Sequence, residues 1–75
     1  ESLDKLADTN PKEVGEVYVA MLNGNALPLY KEANIKSIVE KIYKAKEKFL
    51  ANQICDRYTR SGAEFLKELY EKYNG

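Results

Sequence analysis

The sequence predicts an all-α fold: a small compact helical bundle of three principal helices plus one or two short ones. Three observations carry this. The stretch from Ile35 to Tyr58 holds no Gly or Pro, and Ile35, Ile38, Val39, Ile42, Phe49, Leu50 and Ile54 recur in it at spacings of three, four and seven. That is the period of an amphipathic helix. Asn10-Pro11 followed by Glu13 makes a helix start, with Asn10 as cap, Pro11 in the first helical position and Glu13 where a capping box needs its acid. Phe65, Leu66, Leu69 and Tyr73 form a second apolar stripe near the end of the chain.

In chain order, residues 2–8 are expected to form a short helix with Leu3 and Leu6 facing inward. Residues 11–22 form the next helix, burying Val14, Val17 or Tyr18, and Met21. Gly15 within it costs about 1 kcal/mol against Ala and allows a neighbouring helix to come close. Gly24 is placed to close this helix in the left-handed conformation. A short helix over 28–33 follows Pro28, and Asn34 is a cap for the long helix over 35–59. Ser61 and Glu64 have capping-box spacing and open the last helix, 62–73, with Gly62 at the boundary.

The long helix poses a problem. At about 100° per residue its apolar stripe drifts, and Lys46 and Gln53 fall where a continuous stripe would be apolar. Either a straight helix packs its two halves on different neighbours, or it breaks between Lys46 and Gln53. The run from Ala45 to Ala51 contains no breaker, which favours the straight helix of about 36 Å. One end of it would then project or be covered by another molecule.

Seventy-five residues suit a single domain spanning 1–75, near the lower size limit for one core. Cys55 is the single cysteine, so no intrachain disulfide forms. One thiol is compatible with a reducing compartment such as the cytoplasm. The chain has no His, which removes the commonest general base and the His ligands of most transition-metal sites, and no cofactor or metal is expected. No apolar run is long enough to span a bilayer. The opening Glu1-Ser2-Leu3-Asp4 has neither an initiator Met nor a signal-like pattern, as expected of a processed form or a cut-out domain. Net charge is zero but uneven: residues 1–30 hold two Lys against five acids, 31–60 eight Lys/Arg against four, and 61–75 two against three. The central segment therefore looks for an acidic neighbour, in the fold or on a partner.

Four constellations bear on function. Lys41, Lys44 and Lys48 share a face of the expected long helix, and Arg57 and Arg60 flank Tyr58. Such a set can track a nucleic-acid backbone with a ring to stack on a base. Acids interrupt it, however, and a solvated face with pairs such as Glu40–Lys44 accounts for it as well. Ala20 and Gly24 have helix-turn-helix spacing, but a recognition helix over 27–35 offers no Arg, Gln or Ser to read bases. Six Tyr and no Trp suggest a tyrosine surface, Tyr being common at interfaces. Asp4, Asp8, Glu13 and Glu16 sit near helix N-termini, where acids complement the helix dipole, and Cys55 lacks a His to activate it.

The sequence thus points to a non-catalytic protein–protein interaction module or a small subunit of a larger assembly. Tyr43, Leu50, Ile54, Tyr58, Tyr70 and Tyr73 are its expected anchors, within a Lys/Arg rim that selects an acidic partner. Nucleic-acid binding through Lys41, Lys44, Lys48, Arg57 and Arg60 is the alternative. Small-molecule carriage in the core comes third and catalysis last.

Overall fold

The computed structural model describes residues 3–24 and 31–75. Among them are five helices and no strand: α1 (Leu3–Thr9), α2 (Pro11–Asn23), α3 (Glu32–Lys44), α4 (Lys48–Arg60) and α5 (Lys67–Asn74). The expected helix over 28–33 lies outside the described residues up to Tyr30, as does the inward side chain expected of Leu3. α3 is the central element and packs on each of the other four, while α2 and α4 also pack on each other.

The small all-α bundle is as expected, but the long helix over 35–59 is two helices. It stops at Lys44, turns at Ala45–Glu47 and restarts at Lys48. The turn is a Schellman motif: the Glu47 amide donates to the Ile42 carbonyl at 3.2 Å and the Lys46 amide to that of Tyr43 at 2.9 Å. Lys46 occupies the left-handed position, with φ 65°, that this motif usually gives to Gly. A straight helix of about 36 Å would outrun the molecule, whose longest extent is 28 Å. Folding back lets α4 lie against α2 and α3 instead of projecting.

The break explains the drifting stripe. α3 buries Ile35, Ile38, Val39, Ile42 and Tyr43, and α4 buries Ala51, Ile54, Cys55 and Tyr58. Each is a regular helical face with its own phase. Phe49 belongs to neither: it lies about 170° from the buried face of α4 and is 76% exposed.

α4 ends on a second Schellman motif. The Ala63 amide donates to the Tyr58 carbonyl at 2.9 Å and the Gly62 amide to that of Thr59 at 3.0 Å, with Gly62 at φ 94°. Ser61 Oγ donates back to the Tyr58 carbonyl at 2.8 Å, so the hydroxyl closes α4 and does not cap a helix beginning at 62. α5 accordingly starts only at Lys67.

Smaller differences follow the same logic. α2 starts at Pro11 as expected, but the Asn10 side chain makes no capping bond and its amide turns to Thr9 Oγ1 at 3.2 Å. Gly24 closes α2 at φ −82°, outside the left-handed region, because its amide already reaches the carbonyls of Ala20 and Met21. Lys31, not Asn34, precedes the first turn of α3. In α2, Val14, Tyr18 and Leu22 are buried, Met21 is half-buried and Val17 faces solvent. Gly15 does permit close approach: a Cβ there would lie 3.1 Å from Leu50 Cδ1 and 3.3 Å from Leu50 Cβ.

Candidate functional site

The residues expected as partner anchors divide sharply. Tyr43, Ile54 and Tyr58 are buried in the protein's own core, and Leu50 is half-buried against Gly15. Tyr58 donates to or accepts from Tyr18 through their hydroxyls and meets the Tyr18 and Phe65 rings edge-on, at 6.3 and 5.6 Å between centroids. Tyr43 stacks on Tyr73 at 4.7 Å and 6°. The buried rings of Tyr18, Tyr43 and Tyr58 build the fold and present almost no surface to a partner. The reason is the break: it turns the α4 stripe onto α2 and α3, so side chains expected to be left over become core. Of the six, Tyr70 alone is exposed, at 44%.

Tyr73 and Tyr43 belong to a polar clasp that seats α5, none of whose own residues is fully buried. Tyr43 OH donates to Asn52 Oδ1 at 2.6 Å, Asn52 Nδ2 donates to Asn74 Oδ1 at 3.1 Å, and Asn74 Nδ2 returns a bond to Asn52 Oδ1 at 2.9 Å. On the α3 side, Glu40 Oε2 accepts from Lys72 Nζ at 3.0 Å and from Tyr73 OH at 3.2 Å. The Lys72 hydrogen bond holds the Glu40 carboxyl below the usual carboxylate range, and Glu40 in turn raises the Lys72 ammonium. Burial pushes the Tyr43 hydroxyl and the Cys55 thiol upward, which leaves both protonated at neutral pH. The Cys55 thiol lies 3.6 Å from Tyr43 OH.

The basic residues are separated by the same turn. Lys41 reaches across to Asp8 of α1 at 3.0 Å, and Arg60 pairs with Asp56 one turn back at 3.1 Å. Arg57 is half-buried and lines a small cleft against Leu22 and Val19 of α2, together with Arg60. Lys44 and Lys48 are exposed on either side of the corner. The five cations therefore do not form one stripe, since α3 and α4 no longer share a helical phase. The acidic neighbour that the charge pattern called for is in part internal, supplied by Asp8 to Lys41.

What the structure offers instead is a groove of about 780 Å³ between α4 and α5. Phe49 and Tyr70 border it, and Asn52 and Cys55 lie toward its floor. Its charged lining is Asp56, Glu64 and Glu71 against Lys67, the reverse of the expected Lys/Arg rim. The acidic partner expected from the sequence does not suit this surface. Phe49 was hidden from sequence reasoning because it sits on the period of a helix that is not continuous. Two separate stripes, 35/38/39/42/43 and 51/54/55/58, were the signal that could have found it.

Among the described residues no group of three His, Cys, Asp or Glu side chains gathers to hold a metal ion. None of the described helices is long and apolar enough to cross a membrane. Compared with family models, with curated proteins and with solved structures, the chain matches none.

Proposed function

We propose that this chain is a non-catalytic interaction domain, or a small subunit of a larger assembly, that docks a protein partner on the face shared by α4 and α5. The observation that carries this reading is the 76% exposure of Phe49 beside a groove that the exposed Tyr70 also borders. The three large exposed apolar residues among those described are Val17, Phe49 and Tyr70, and two of them meet at one groove. Aromatic anchors in a concave surface are what protein interfaces use.

The test is capture of partners from native lysate, with and without nuclease, by the wild-type chain, Phe49→Ser and Lys44→Glu/Lys48→Glu. A protein that survives nuclease and is lost with Phe49→Ser supports the reading. Capture that vanishes with nuclease and with the lysine variant, but persists in Phe49→Ser, replaces it with nucleic-acid binding through the lysines at the corner.

A further inference from the structure

The charge and geometry of the α4/α5 groove say more than that a partner binds. α5 runs antiparallel to α4: Asn74 bonds Asn52 near one end, and Phe65 meets Tyr58 near the other. Tyr70 therefore faces the stretch of α4 one to two helical turns beyond Phe49, and both rings line the groove. A spacing of one to two turns suits apolar anchors at i and i+4 or i+7 of a docked helix. Between and beyond the two rings the lining is acidic. Asp56 is partly offset by its pair with Arg60, but Glu64 and Glu71 make no ion pair within 4.0 Å among the described residues, and Lys67 is the one cation lining the groove. An acidic helix laid here would be repelled by these carboxylates, whereas Lys or Arg flanking an apolar stripe would meet them.

From this juxtaposition we infer that the groove between α4 and α5 takes a positively charged amphipathic helix, with apolar residues against Phe49 and Tyr70 and cations against Glu64 and Glu71. This rests on the interaction reading above and names its partner chemistry.

The test uses the full chain and three labelled peptides of about five helical turns. One is a Leu/Lys amphipathic helix, one has Glu in place of every Lys, and one is the Leu/Lys composition scrambled out of helical period. Binding is read by fluorescence anisotropy and by backbone amide shifts. The Leu/Lys helix is expected to bind saturably, with shifts confined to α4 and α5 around 49–56 and 64–71. Phe49→Ser, a substitution at an exposed site, is expected to weaken it about tenfold. Glu64→Lys/Glu71→Lys is expected to weaken it by a similar factor, about tenfold, and added salt to weaken it further. Equal binding of the scrambled peptide, or preference for the Glu peptide, overturns the inference. So does a Leu/Lys complex indifferent to Phe49. If lysate capture still depends on Phe49 in any of these cases, the interaction reading stands and only the partner chemistry is wrong. If capture is indifferent to Phe49 as well, both fall.

Discussion

Two residues in the same backbone position decide where α3 and α4 end. Lys46 and Gly62 each occupy the left-handed site of a Schellman turn, at φ 65° and 94°. Glycine holds that conformation without cost, whereas a residue with a Cβ loses about 1 kcal/mol or more there. Lys46→Gly is therefore expected to stabilise the protein by about 1 kcal/mol, and Gly62→Ala to destabilise it by about the same amount. Urea unfolding midpoints check both, and equal stability of Lys46→Gly and wild type would mean the lysine is not strained. Gly62 stood out in the sequence as a boundary because it is glycine. Lys46 did not, because a lysine amid helix formers carries no mark of a turn; tertiary packing, not local propensity, ends the helix there. Gly15, inside α2, matters for space rather than backbone conformation: a close approach by a neighbouring helix was expected there, and α4 makes it through Leu50. Gly15→Val is expected to cost about 1–3 kcal/mol, since Leu50 Cβ already lies 3.3 Å from the added carbon.

At the scale of elements, α5 differs from the rest. α2, α3 and α4 each bury four or five residues, and α5 buries none. It is held by the Tyr43–Asn52–Asn74 clasp, the Tyr43–Tyr73 stack and the Glu40–Lys72 pair. Removing the Asn74 side chain leaves the part-buried Asn52 Nδ2 without its acceptor, at a cost of about 1–3 kcal/mol. Hydrogen exchange should then show the amides of α5 exchanging well before those of α3, with Asn74→Ala accelerating α5 selectively. Uniform acceleration along the chain would show that α5 opens only with the whole. The Glu40–Lys72 pair adds a pH signature. The Glu40 carboxyl is depressed in the folded state, so its contribution is present above its unfolded value and is lost as pH falls through the folded one. Lys72 is raised, so its contribution is present below its unfolded value and fades as pH rises through the folded one. Stability of wild type minus that of Glu40→Gln should therefore be largest at neutral pH and shrink toward acid; a difference flat with pH would rule the pair out as a clamp. None of this clasp was legible beforehand. Polar side chains such as Asn52 and Asn74 show no periodicity, and their partnership exists only once α5 folds back along α4.

At the scale of the molecule, the sequence was most informative where burial is periodic and least where the chain reverses. Ile35, Ile38, Val39 and Ile42 were expected in the interior and are there. The interface proposed above lies in the region the sequence pointed to, the distal half of the expected long helix with the last one. Its proposed anchors changed because one turn at residues 45–47 rotates everything after it. A radius of gyration of 11.0 Å is what a chain of this length reaches when no helix projects. That compactness has a use. Cys55 is the one sulfhydryl in the chain; it is sealed beneath Tyr43 and the α4/α5 groove, and its proton is held more tightly by burial. A thiol reagent can reach it only when the structure opens, so the rate of labelling reports how often that happens. The native sequence thus carries its own gauge of transient exposure, readable by mass spectrometry of the labelled thiol at residue 55 without an engineered reporter.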